Sequence, residues 1–143
     1  MSKPLSKRIR EMDGAYIAVG LAGPHPSGMD AGKLASILKD GTQDGRIPAR
    51  DFLTPAVEAA APAVRHALKT AASAALRGKD PRPAMQRGAL AAHEHLIKAI
   101  ENFDTPPNAP STIRKKGKDD PLVDSGALLD LTFGEYALGD LAK

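Results

Sequence analysis

The feature that most constrains the fold is a pair of apolar stripes at helical spacing, separated by a short break. Val57, Ala60, Ala61, Val64, Leu68, Ala71, Ala72 and Ala75 recur on one face of a helix. A face made mostly of methyl groups lets a second helix approach closely, and the chain supplies one. Gly78-Lys79-Asp80-Pro81-Arg82-Pro83 interrupts the pattern, with Asp80 placed as a cap and Pro81 at the first helical position. Ala89, Leu90, His93, Leu96, Ile97, Ile100 and Phe103 then form the second stripe. Two helices joined this way predict an antiparallel helical hairpin. Thr54 is the expected cap of the first helix, with Pro55 in its first turn. Pro62 is expected to kink that helix or to mark its true start.

The remaining segments are shorter. Gly14 to Leu21 is a compact apolar run with β-branched and aromatic residues between glycines, which predicts a strand. Prolines and glycines punctuate Gly23 to Gly28 too densely for regular structure. A short helix is expected from Ala31 to Leu38, capped by Asp30. Asp104 to Pro110 reads as a proline-rich connector. Ala127 to Leu138 alternates through Leu129, Leu131 and Phe133, which predicts a half-buried strand able to pair with the one near Tyr16. Residues 1–13 read as an N-terminal arm or a short frayed helix ordered by a partner. The expected architecture is α+β: one domain over 14–143, with a small antiparallel sheet packed against the hairpin and long loops.

Composition narrows the chemistry. Lys and Arg total 20 against 17 acids, a net charge of +3, which is only mildly basic. Three Phe, two Tyr and no Trp leave few base-stacking surfaces. With no cysteine there is no disulfide, thiolate metal site or Cys nucleophile. Met1 to Arg10 is basic without an apolar run behind it, and no window holds the roughly 20 apolar residues of a membrane helix, so a soluble protein is expected. His93 and His95 stand two apart on a helix, where a shared metal ion needs a spacing of four. Asp119, Asp120 and Asp124 are interrupted by Pro121, Leu122 and Val123, unlike a calcium loop. Ser125-Gly126 lacks a nucleophile-elbow context. No catalytic residue, cofactor or metal is expected.

Two runs remain. Arg46-Ile47-Pro48-Ala49-Arg50-Asp51-Phe52-Leu53-Thr54-Pro55-Ala56 is one. The other passes from a basic loop, Arg114, Lys115, Lys116 and Lys118, through an acidic pair and Pro121 into Leu122-Val123-Asp124-Ser125-Gly126-Ala127-Leu128. In this order they resemble two signatures of the neck and tail-completion proteins of long-tailed bacteriophages. The resemblance covers about Gly14 to Leu138. It implies a structural virion protein, made in the host cytoplasm, that forms a ring, commonly a hexamer, between the portal-side or head-closure ring and the tail-tube proteins. DNA passes through the lumen without sequence recognition, no membrane is involved, and no bond is broken. Ile47, Pro48, Ala49, Arg50 and Phe52, with Leu122, Val123, Asp124, Ser125, Gly126 and Leu128, are the implied subunit or ring interface. The basic loop faces either the DNA channel or an adjacent ring; Arg46 and Arg50 carry the same ambiguity.

The chain departs from the family pattern in places. Asp51 stands where the family often has proline. The ending of the short helix before Lys39 differs, and the terminal strand is more acidic, at Asp130 and Glu135. Neck protein and tail terminator therefore both stay open. The rival is a small basic, dimeric DNA-binding or assembly-chaperone protein that dimerises through the alanine-rich hairpin.

Overall fold

The structure, a computed structural model, describes residues 4–45, 49, 51–102 and 127–139. Its elements run α1 (Leu5–Met12), β1 (Tyr16–Leu21), α2 (Ala31–Asp40), α3 (Leu53–Leu76), α4 (Arg82–Glu101), α5 (Ala127–Asp130) and β2 (Thr132–Ala137). The fold is mixed helix and strand. The α3–α4 hairpin packs against a two-stranded antiparallel sheet, chiefly through α4.

The alanine-rich hairpin forms as periodicity predicts, but in a different phase. The buried face of α3 is Ala56, Ala60, Ala67, Ala71 and Ala75, while Val57 is 48% exposed. On α4 the buried face is Ala84, Met85, Gly88, Ala89, Ala92, Leu96 and Ile100, and Leu90 is turned outward at 55% exposure. On α3 the buried face is all alanine, while α4 adds Met85, Leu96 and Ile100 to its small residues. Gly88 marks the closest approach: a methyl group there would sit 2.6 Å from both Ala67 Cβ and Ile17 Cδ1. The helix runs unbroken through Pro62, which marks no start.

Both ends of the hairpin turn are fixed by local hydrogen bonds. Gly78 has φ of +78°, and its N–H donates to Ala75 O while Lys79 N–H donates to Ala74 O. This pair of reversed bonds satisfies the last carbonyls of α3. Asp80 Oδ1 then accepts the Arg82 N–H at 3.0 Å, which opens α4 with Pro81 already helical, as the sequence predicts. The start of α3 differs from expectation. Asp51 Oδ1 accepts the Thr54 N–H at 3.0 Å, so the cap lies three residues before Thr54. Phe52 is already in helical conformation, and Pro55 follows within the first turn.

β1 and β2 pair from Tyr16↔Ala137 to Leu21↔Thr132, the predicted partnership. Gly134 lies against α4, where an added Cβ would collide with the Ala89 carbonyl and with His93 Cβ. By alternation Phe133 and Glu135 therefore face away from the hairpin; an added Cβ on Gly20 would lie 3.5 Å from the Phe133 ring. The expected long strand from Ala127 is shortened. Residues Ala127–Asp130 make a helical turn that buries Leu128, and the strand begins only at Thr132. A Leu-rich segment suits either period, and core contacts choose the turn.

α2 is capped as expected, with Asp30 Oδ2 accepting the Gly32 and Lys33 N–H groups. Within the segment expected as an arm, Leu5–Met12 is a helix laid along α3 of the same chain. Arg8 Nη1 donates to the Leu76 carbonyl at 2.7 Å, and the Gly139 N–H donates to the Glu11 carbonyl. Two interior clusters result. One joins Leu21, Ala31, Ala35, Phe52, Ala56, Leu96, Ile100 and Leu128. The other, at the hairpin turn, joins Ala71, Ala84, Met85 and Leu138.

Candidate functional site

Among the described residues, each of the two runs sends a side chain into the first cluster. Phe52, from the first, is fully buried, and Leu128, from the second, is 3% exposed. Both were expected at a subunit interface, but inside the subunit they form core and present no surface; they can support an interface only from beneath. Ala49 is exposed. Ile47, Pro48 and Arg50 lie outside the described residues, as do Leu122, Val123, Asp124, Ser125, Gly126 and the basic residues Arg114, Lys115, Lys116 and Lys118. Asp51, the departure from the family pattern, has a definite role as the cap of α3. The Thr54 N–H and, after it, the Thr54 hydroxyl hold its carboxyl below the usual carboxylate range.

The His93 side chain serves as a strut. Its Nε2 lies 2.7 Å from Thr132 Oγ1, and that hydroxyl donates to the Leu129 carbonyl at 2.7 Å. Because the hydroxyl proton is used on the carbonyl, Nε2 must carry a proton and donate. The bridge links α4 to the α5–β2 junction, and His93 is partly buried as expected. His95, expected in solvent, is half-buried. Among the described residues no three His, Cys, Asp or Glu side chains gather to hold a metal ion.

Among the described residues the sheet is open at both edges: β1 pairs only with β2, so each strand keeps one unpaired edge. Beside β2, Ala22, Asp130, Leu131, Thr132, Phe133 and Glu135 line a shallow hollow. Its two carboxylates make it unsuited to anions.

A second groove was not anticipated. His66, Lys69, Thr70, Ser73, Arg77 and Lys79 line it, along the C-terminal half of α3. Positions 66, 69, 70, 73 and 77 share one side of a helix. The reversed turn at Gly78 brings Lys79 back beside them. The sequence did carry a signal: from Ala59 to Lys79 there is no acidic residue, while Arg65, His66, Lys69, Arg77 and Lys79 all fall within it.

No helix among the described residues is long and apolar enough to cross a membrane. No family model, curated protein or solved structure matches the chain.

Proposed function

We propose that this chain is a structural virion protein that forms a ring in the neck of a long-tailed bacteriophage and joins the DNA-filled head to the tail. The carrying observation is the order of the two signature runs together with their convergence: Phe52 and Leu128, far apart in sequence, pack into one cluster. Co-packing of Phe52 and Leu128 supports reading the two runs as parts of one pattern. The function is assembly through buried surface, with no covalent chemistry and no metal. The edges of β1 and β2 that stay unpaired among the described residues suit strand pairing with neighbouring subunits, and repeated head-to-tail contacts that close make a ring. A hexamer is the proposed state, with portal-side or head-closure and tail-tube rings as neighbours.

The test is genetic and direct. In the phage that encodes the chain, its loss should leave DNA-filled heads and finished tails that do not join, and peptide mass spectrometry should find the protein in wild-type virions. Normal joined particles in its absence would refute the proposal.

A further inference from the structure

We propose that the groove along the C-terminal half of α3 binds the phosphodiester backbone of duplex DNA, without reading sequence. This does not rest on ring assembly, because the whole surface belongs to one subunit.

Four observations carry it. Lys69, Arg77 and Lys79 are exposed and flank one groove. None of the three makes an ion pair among the described residues, in contrast to Lys39 with Asp40 and Arg82 with Asp80. The groove also offers the hydroxyls of Thr70 and Ser73, which can donate to phosphate oxygens. Finally, the carbonyls of the α3 C-terminus, which would repel an anion, are occupied. Arg77 N–H donates to Ser73 and Ala74, Gly78 N–H to Ala75, Lys79 N–H to Ala74, and Arg8 Nη1 to Leu76. The Arg8 guanidinium adds a further positive charge at that end.

The shape chooses the polyanion. From His66 to Arg77 the groove follows α3 for roughly 16 Å, at 1.5 Å per residue, too long for a single phosphate and suited to successive ones. No Phe, Tyr or Trp lines it, and the one imidazole of His66 gives no run of rings on which successive unpaired bases stack, which favours duplex over single strand. Contacts from flexible cations and hydroxyls position a backbone but do not distinguish base pairs.

Fluorescence anisotropy with a short labelled duplex, read across a salt series, tests the proposal on the full chain. Three variants are compared with the parent: Lys69→Glu/Arg77→Glu/Lys79→Glu, its glutamine counterpart, and Lys7→Glu/Lys33→Glu/Lys98→Glu. The last changes net charge equally at exposed positions on other helices. Three phosphate contacts give a slope of about 2.7 in log affinity against log salt, so affinity should fall about forty-fold between 50 and 200 mM from this groove alone. Both groove variants should lose that dependence and bind at least tenfold more weakly at 50 mM, while circular dichroism stays unchanged. The Lys7/Lys33/Lys98 variant should keep most of the slope. Equal loss in that variant would mean net charge alone is responsible and would overturn the proposal. Parental binding to the duplex by a folded glutamine variant would also overturn it, as would loss confined to binding of anionic phospholipid vesicles.

Discussion

At the end of the hairpin where α3 begins and α4 stops, Phe52, Leu96 and Ile100 fill the interior with Leu128. At the turn end the interior is Ala71, Ala84, Met85 and Leu138, and the surface carries Lys69, Arg77 and Lys79, which make no ion pair among the described residues. The first end spends its large side chains on tying together α2, α3, α4, α5 and β1. The second relies on close backbone approach and on local hydrogen bonds at Gly78 and Asp80. Interior and surface are thus specialised differently at the two ends: one joins five elements through large side chains, the other presents exposed cations over an alanine-rich interior.

Large-to-small substitution should separate the two ends most strongly. Phe52→Ala should cost about 3–5 kcal/mol, because a fully buried ring leaves a cavity among residues held by five elements. Met85→Ala should cost nearer the lower limit of about 2 kcal/mol, since the partly buried Met12, Ile17 and Leu68 packed against its cluster can shift into the space it leaves. Urea unfolding of both variants checks this; equal costs would erase the distinction.

Adding bulk probes the close approach. Gly134→Ala should cost about 1–3 kcal/mol, since the new methyl meets the Ala89 carbonyl, which the α4 backbone holds in place. Gly88→Ala should cost somewhat less: the new methyl meets Ala67 Cβ, so α3 and α4 must part slightly, but Ile17 can shift and alanine favours the helix by about 1 kcal/mol. Thermal unfolding should rank Gly134→Ala below Gly88→Ala, and the reverse order would mean that α4 gives way more readily than Ile17.

The cap at Asp51 is a smaller effect with a pH signature. Asp51→Ala should cost about 1 kcal/mol at neutral pH. The folded-state pKa is depressed by Thr54, so this stabilisation is present above the unfolded pKa and is lost as pH falls through the folded one. Parent and variant should therefore converge in stability below the ordinary carboxylate range. A difference that persists there would mean Asp51 acts through something other than its charge. The smallest expected effect is Leu90→Gln, within about 0.5 kcal/mol, because Leu90 faces outward. A core-like loss would restore the stripe that the sequence suggests.

These contrasts explain what could be read from residues alone. The hairpin, the two strands and their pairing, and the Asp30 and Asp80 caps were legible because periodicity and capping chemistry are local signals. The phase of α3 was not, since alanines on several faces give little contrast, and Val57 looked more core-like than Ala56. The turn at Ala127–Asp130 was hidden because Leu128, Leu129 and Leu131 fit either period. Asp51 lost to Thr54 as the expected cap because Thr-Pro is itself a good helix start. The groove on α3 was missed because its cations are spaced at ordinary helical intervals, and the informative feature was the absence of acids among them.

The central claim is that this chain closes into a ring. Native mass spectrometry of the full-length protein, across micromolar concentrations and moderate salt, measures that directly. A single closed species, a hexamer, whose mass does not grow further with concentration, is the expected result. A monomer or dimer at every concentration, with duplex DNA binding as its chief property, would contradict the ring and favour the small DNA-binding reading in its place.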